Sequence, residues 1–465
     1  MPPEFGTSGL RGLVSQLTPG LVAAYVRAFA RVCPMGSGLY VARDLRPSSP
    51  TISADVVAAA RAAGLAVTDC GAIPTPALAL AAMQARAAAV MITGSHIPAD
   101  RNGLKFYTPE GEITKAQETA ILTAIGARGG MGSPPPGGGP AAITNTGAGA
   151  AYVARYVAAY GSAALAAMRI GVYSHSAVGR DLLIAALVGL GGEVVDLGRS
   201  RHFIPIDTEA VDTKTRARLM RWAVGGRLDA IVSTDGDGDR PLLTDATGRL
   251  IPGDVLGQIT AAALGAQVVV TPVSSNSGVE ASGRFGRVIR TRIGSPFVIA
   301  AMLASGGRIA GYEANGGFLL GFAAEGPAGP LPALMTRDAL LPMITALVLA
   351  KAQAGGLAAL VAAQPARFTA ANRLIGVPHE RAQALVAGLA ADATARADFL
   401  AALGGVEAAL TCTDGLRLTL QDGRIVHMRP SGNAPELRFY AEAETPQAAA
   451  ALLAAGLDLL AKACA

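Results

Sequence analysis

A chain of 465 residues exceeds what one hydrophobic core can organise, and its length suggests about three or four domains. Hydrophobic residues make up 51% of it and aromatic residues only 5%, so its cores are Ala-rich and suit helices with small packed faces. The net charge of +5 comes without a Lys/Arg run or basic–aromatic interleaving. That argues against a nucleic-acid partner and fits arginines gathered in a cleft for an anionic substrate.

In chain order, Met1-Pro2-Pro3-Glu4 lacks the basic and apolar regions of a signal peptide. Residues 38–44 read as a strand, 53–64 as an Ala-rich helix, and 65–70 and 88–92 as further strands. Residues 128–150, with PPPGGGP and almost no periodicity, read as a linker and first boundary. The pattern restarts with strand 169–173, helix 180–190, strand 193–197, helix 209–224 and strand 228–232. A third cycle has a helix near Gly253, a strand at 267–273, a helix from Asn276, and strands at 287–291 and 308–312. Repeated strand–helix–strand units imply mostly parallel sheets covered by helices. The C-terminal part differs: a long helix at 379–402 precedes strand segments separated by Asp414-Gly415, Asp422-Gly423 and Ser431-Gly432. That is an antiparallel α+β pattern. The expected domains are 1–150, 151–252, 253–367 and 368–465.

The apolar stretch 339–350 stops at Lys351 and is too short to cross a bilayer. Cys33, Cys70, Cys412 and Cys464 lie far apart with no CxxC or Cys/His spacing, as in a reduced cytosolic protein. A soluble cytoplasmic chain with no membrane partner is expected.

Asp235-Gly236-Asp237-Gly238-Asp239-Arg240 follows the strand at 228–232. Three carboxylates on alternate residues repel unless a hard cation sits among them, and Mg²⁺ suits a few carboxylates plus a phosphate. An Asp/Gly turn is the plainer reading, but three carboxylates exceed what a turn needs. An EF-hand fails because its sixth position is Arg240 and its twelfth Ala246.

Thr93-Gly94-Ser95-His96-Ile97-Pro98 follows the strand at 88–92, so Ser95 sits at a strand's carboxyl end, where open α/β sheets bind ligands. Thr93 and Ile97 break a hydrolase elbow. A phosphorylated Ser95 would instead bring the dianion that a three-carboxylate site lacks. Asn102-Gly103 marks a turn before an extended segment, with Lys105 as an acid/base or phosphate-positioning group, or simply a solvated lysine.

Glu313 and Asn315, after the strand at 308–312, would project the same way in an extended chain and suit neighbouring sugar hydroxyls. Arg429, Ser431, Gly432, Asn433 and Arg438 form a plausible phosphate clamp. Near the N-terminus, FGTSGLRG is a Gly-rich loop with one arginine, Arg11, and no Walker lysine.

In this order, FGTSGLRG, VARDLRPSS, TGSHIPADRNGLK, STDGDGDRP, GYEANGG and RPSGNAPELR resemble the α-D-phosphohexomutase superfamily, across nearly the whole chain. The resemblance implies an α/β protein: three similar mixed α/β domains plus a C-terminal α+β domain around a central cleft. It implies that Ser95 is a phosphoserine and that Asp235, Asp237, Asp239 and Ser95 hold Mg²⁺. Glu313 and Asn315 would bind sugar hydroxyls, and Arg429, Ser431, Gly432, Asn433 and Arg438 the distal phosphate. Arg11, His96, Lys105 and Arg240 would support phosphoryl transfer and proton movement.

The implied substrate is a hexose phosphate, handled through a hexose 1,6-bisphosphate by a monomer or weak homodimer. Mannose phosphate is the expected sugar, with glucose phosphate, glucosamine phosphate or a silent sugar-phosphate-binding paralogue as alternatives. Four departures stand out: Ile97 for the usual Asn, Gly317 where several relatives carry His, the loop 174–179, and 291–295 without Gly-Asp. His175 in the first of those loops is a candidate acid/base, beside the plainer reading of a loop histidine without a role.

Overall fold

The computed structural model describes residues 3–6, 8–126, 140–432 and 435–464. The chain divides into two compact units, Met1–Val269 with Gly294–Val361, and Val270–Ile293 with Ala362–Ala465.

The first unit begins with a sheet ordered Glu4–Phe5, Leu10–Leu13, Arg101–Thr108, Ala88–Ile92, Leu39–Arg43, Val67–Ala72, Ile143–Thr144. Its central strand Ala88–Ile92 is buried throughout, the signature of a strand covered on both faces. Helix Pro19–Val32 starts where Thr18 accepts the Leu21 amide and proline occupies the first turn. It buries Val22, Val26 and Phe29 at helical spacing, and the Phe29 ring lies 4.9 Å from that of Phe106. A second sheet runs Glu193–Leu197, Arg169–Tyr173, Ala230–Thr234, Pro241–Thr244. Strands Ile309–Tyr312, Phe318–Leu320 and Leu334–Asp338 pair antiparallel in turn.

The second unit is built on the antiparallel order Phe368–Ile375, Glu436–Ala443, Ile425–Pro430, Leu416–Leu420, Glu407–Thr411. Leu416, Leu418 and Leu420 alternate inward to meet Val426, Met428, Leu437 and Phe439 in its core. Among the described residues, helix Pro446–Cys464 has the length and composition of a membrane span, with mean hydropathy 1.4. Ala449, Leu452, Gly456 and Leu460 bury one face of that helix within the same unit. The apolar stretch read from sequence instead forms helix Leu340–Lys351, buried along most of its length.

Most expected strands lie within two residues of their observed bounds, but the sheets are mixed rather than mostly parallel. Arg101–Thr108 returns antiparallel beside Ala88–Ile92, and Pro241–Thr244 does so beside Ala230–Thr234. Short connections allow this, since only parallel pairing needs a long crossover. Asn102-Gly103 is not a turn but lies inside the strand Arg101–Thr108. Asn102 Nδ2 donates to the Ser48 and Ser49 hydroxyls, and a Cβ on Gly103 would meet the Leu10 carbonyl oxygen at 2.1 Å. The glycine serves close strand approach.

The helix expected at 379–402 is two, His379–Ala391 and Ala393–Ala402. Asp392 leaves helical geometry and accepts the Thr394 and Ala395 amides, so it caps a new helix. The helix from Asn276 shrinks to Gly278–Ala281. Residues 128–139 of the expected linker lie outside the described residues, and beyond them Ile143–Thr144 pairs with Val67–Ala72.

A Cβ at Gly456 would fall 2.2 Å from the buried Phe439 ring. Intrinsic propensity alone would favour Ala there by about 1 kcal/mol. Overpacking should win, so Gly456→Ala should lower the unfolding free energy by about 1–3 kcal/mol in urea titration. A gain in stability would contradict the contact.

Candidate active site

The first unit gathers its candidate residues at strand ends. Ala88–Ile92 delivers Ser95, Ala230–Thr234 delivers Asp235, and Ile309–Tyr312 delivers Glu313. Arg11 and Lys105 lie within Leu10–Leu13 and Arg101–Thr108. Ser95 is buried with φ +53°, a left-handed backbone that costs a residue with a Cβ about 1–3 kcal/mol. Its Oγ donates to Asp235 Oδ2 at 2.5 Å and lies 3.3 Å from His96 Nδ1.

Asp235, Asp237 and Asp239 are all fully buried, and their ligand atoms lie within 4.8 Å of one another. Lys105 Nζ bridges them, donating to Asp237 Oδ2 at 2.5 Å and Asp239 Oδ2 at 2.6 Å. Thr75 Oγ1 adds a 2.5 Å hydrogen bond to Asp237 Oδ2. Asp235 Oδ1 accepts the amides of Gly238 and Arg240.

Burial, then the charges of Asp237 and Asp239, push the Asp235 carboxyl well above its usual range. Burial acts the same way on Asp237, but the Lys105 charge and its hydrogen bond outweigh it and bring Asp237 well below. Burial would lower Lys105, yet Asp237 and Asp239 more than offset that and keep it an ammonium. Burial, then Arg240 and Arg11, hold His96 far below its ordinary value and therefore neutral. Burial and Arg240 lower Arg11 to about 10, which still leaves it charged at neutral pH.

Asp237 Oδ1 and Asp239 Oδ1 are buried with no hydrogen-bond partner. An unmet buried acceptor costs about 1–3 kcal/mol, and more when charged. Hard carboxylate oxygens held together and left unmet fit a divalent cation, with Asp235, Asp237 and Asp239 as the donor set.

Sequence reasoning missed Arg337. Its Nη2 donates to Asp239 Oδ2 at 2.7 Å and its Nη1 to Glu313 Oε2 at 3.0 Å, so it ties the acidic loop to the Glu313 loop. Ser8, whose hydroxyl donates to Glu112 at 2.5 Å, accepts a longer bond from the same guanidinium. Arg337 sits mid-strand with no motif around it, so no local signal marks it.

Glu313 and Asn315 do converge, with Asn315 Nδ2 3.5 Å from Glu313 Oε2. They do so through a turn rather than an extended chain. The Gly316 amide donates to the Glu313 carbonyl, and Gly316 has φ +86°. At Gly317 a Cβ would meet Arg337 Cδ at 2.9 Å. The space that a histidine would need there is filled by arginine. His175 lies behind the acidic loop, fully buried, with Nε2 2.9 Å from the Thr234 carbonyl oxygen. Burial lowers its pKa to about 4. Its place is that of a support for the acidic loop, which neither sequence reading anticipated.

In the second unit, Arg429 and Arg438 are direct partners on adjacent antiparallel strands. Directly opposed like charges repel unless acids or an anion answer them. Asp414 answers Arg429 at 3.0 Å, and Glu436 lies 3.7 Å from Arg438. Buried Ser431 donates its amide to the Glu436 carbonyl, and the space a Cβ would take at Gly432 is open. Asn433 lies outside the described residues.

A hydroxyl seated against a carboxylate cluster that could hold a cation, among fixed positive charges, suits phosphoryl transfer. Comparison with known proteins agrees. The chain matches phosphoglucomutase/phosphomannomutase alpha/beta/alpha domain I over residues 2–129, domain III over 252–368 and the C-terminal domain over 379–459. It is 47% identical to a phosphomannomutase of Sinorhizobium fredii, over 99% of each chain. A phosphomannomutase of Salmonella muenchen is 43% identical over 96% of this chain and 92% of its own. A phosphoglucomutase/phosphomannomutase family protein from Burkholderia thailandensis shares the fold, with a TM-score of 0.77 at 20% identity, covering 98% and 97%. The chain belongs to the phosphoglucomutase/phosphomannomutase family of the α-D-phosphohexomutase superfamily, and is thus an intramolecular phosphotransferase.

Replacing Lys105 with Met strips the bridging ammonium from buried carboxylates. Breaking a buried pair in this way costs about 3–5 kcal/mol. Lys105→Met should lose about that much in urea unfolding with chelator present. A loss below about 1 kcal/mol would rule out the bridge, since that is the scale of exposed pairs.

Proposed function

We propose that this chain interconverts mannose 6-phosphate and mannose 1-phosphate, with Ser95 as phosphoryl carrier and a hexose 1,6-bisphosphate as intermediate. The observation that carries the reading is the 2.5 Å contact between Ser95 Oγ and Asp235, at the edge of an acidic cluster that fits a cation. Support for mannose comes from the two phosphomannomutases at 47% and 43% identity. The proposed domains are 1–150, 151–252, 253–367 and 368–465; the matched spans 2–129, 252–368 and 379–459 support the first, third and fourth.

In the forward half-reaction, a sugar hydroxyl attacks the phosphorus on Ser95. The new sugar O–P bond forms as the serine O–P bond breaks; the sugar hydroxyl proton leaves to a base and the departing Ser95 oxygen takes up a proton. In the return half-reaction, Ser95 Oγ forms a bond to the other phosphorus of the bisphosphate as that sugar O–P bond breaks; the Ser95 proton leaves and the freed sugar oxygen takes one up. His96 Nδ1, 3.3 Å from Ser95 Oγ, stands within reach of the Ser95 proton. Arg11 and Arg240 answer the charge on the transferring group, while Lys105 holds the aspartates in register. Mg²⁺ held by Asp235, Asp237, Asp239 and the Ser95 oxygen would supply further stabilisation of the phosphoryl oxygens. Glu313 and Asn315 are the sugar-hydroxyl partners. Arg429, Ser431, Gly432, Asn433 and Arg438 form the phosphate-binding loop of their unit.

Purified protein with Mg²⁺ and trace hexose 1,6-bisphosphate should convert mannose 1-phosphate to mannose 6-phosphate. Ser95→Ala should lose at least about three orders of magnitude in rate, as removal of a nucleophile does elsewhere. Retained turnover would remove Ser95 from the reaction. Glucose and glucosamine 1-phosphates assayed beside mannose 1-phosphate test the sugar, and a faster rate with either overturns mannose as the preferred one. Mg²⁺ at about 100-fold its dissociation constant should raise the unfolding free energy by about 2.7 kcal/mol. Asp237→Asn should abolish most of that gain, and a wild-type melting curve indifferent to Mg²⁺ and chelator would refute the metal assignment.

A further inference from the structure

The loop that carries Ser95 is organised by a side chain to which the catalytic reading gives no task. Arg46 is 1% exposed. Its Nη1 donates to the carbonyls of Pro98 at 2.6 Å and Arg101 at 3.0 Å. Its Nη2 donates to those of Ser95 at 2.9 Å and Ile97 at 2.6 Å, and its Nε to Asp44 Oδ2 at 3.2 Å. A guanidinium offers five N–H donors in one rigid plane, which suits it to collect carbonyls that no ladder satisfies. The Phe203 ring covers its Cζ at 4.1 Å, and a Cβ on Gly94 would fall 2.7 Å from that carbon.

Both ends of the Ser95 residue are held by the same pair of charges. Its carbonyl goes to Arg46. Its amide donates to Thr93 Oγ1 at 2.8 Å, and the Thr93 hydroxyl donates to Asp44 Oδ2 at 2.7 Å. Asp44 in turn accepts the Arg46 amide and Nε. This grip explains how a residue with a Cβ stays at φ +53°. Relaxing that angle would swing Oγ away from Asp235, 2.5 Å distant.

We propose that Arg46 is a positioning residue for phosphoryl transfer, holding Ser95 in its left-handed conformation and so aiming Oγ at the acidic loop. The proposal rests on Ser95 as the phosphoryl carrier. It places the effect of Arg46 on turnover rather than on sugar-phosphate binding.

Arg46→Lys keeps a cation beside Asp44, but one ammonium cannot span four carbonyls. With Mg²⁺, glucose 1,6-bisphosphate and mannose 1-phosphate, its kcat should fall about 100-fold with KM within about threefold, the signature of misplacement. Gly94→Ala leaves the arginine and its charge intact and should lower kcat in the same way by displacing the guanidinium. It also serves should Arg46→Lys fail to fold by circular dichroism. In Arg46→Ala, methylguanidinium should restore at least about a tenth of the lost rate and leave wild type unchanged. The proposal is overturned if folded Arg46→Lys and Gly94→Ala keep near wild-type kcat, if their loss lies in KM, or if methylguanidinium restores nothing. Ser95→Ala assayed alongside separates the two levels. Turnover in that variant removes the carrier reading and the proposal together, whereas an inactive Ser95→Ala beside a fully active Arg46→Lys removes the positioning role alone.

Discussion

The ammonium of Lys105 between Asp237 and Asp239 is the contact on which the rest of the first unit's site depends. Fully buried carboxylates this close would expel one another or stay protonated without an internal counter-charge. Strand pairing supplies it. Lys105 sits directly across from Met91 in the antiparallel pair, four residues before Ser95. One register therefore delivers both the Ser95 hydroxyl and the cation that makes its acidic neighbours tolerable. Slipping that register by one residue would turn Lys105 to the other face and leave the aspartates unanswered.

Arg337 extends this compensation. It donates to the same Asp239 Oδ2 that Lys105 reaches and meets Glu313 with its other nitrogen. Three loops from separate parts of the sequence thus share one electrostatic problem and one solution. Residual imbalance remains at Asp235, where the carboxyl pKa is pushed up, and at the two unmet Oδ1 atoms. That is where a divalent cation has a physical reason to bind.

What was legible in the sequence was local. Asp and Gly in alternation after an apolar run, and a Ser between Gly and His after another, mark strand-end loops because loop geometry and ligand chemistry choose those residue types directly. The order of the motifs identified the superfamily, and most strand positions followed from apolar runs such as 88–92 and 169–173. What was not legible depends on distance along the chain. Lys105 stood out in its motif, but its meeting with Asp237 across 132 positions did not, and Arg337, which meets Ser8 across 329, leaves no mark in its own neighbourhood. Asn102-Gly103 misled for a related reason. The dipeptide favours turns intrinsically, but here tertiary packing uses the missing Cβ to bring two strands together. The break at Asp392 had a local signal, an aspartate inside an Ala-rich run, which helical periodicity alone does not register.

Gly317 and Arg337 occupy one volume. The arginine's methylenes lie where the first carbon of any side chain at 317 would have to go, and the Asp239 carbonyl oxygen closes the remaining side at 3.0 Å. The two positions are therefore not free to vary separately. A larger residue at 317 becomes sterically admissible only after 337 has been shortened, and shortening 337 first strands Asp239 and Glu313 without their shared cation. Any lineage that moves from this arrangement to one with a side chain at 317 must cross a destabilised intermediate or change both residues at once. The order of substitution, and not only their sum, constrains how this site can be remade.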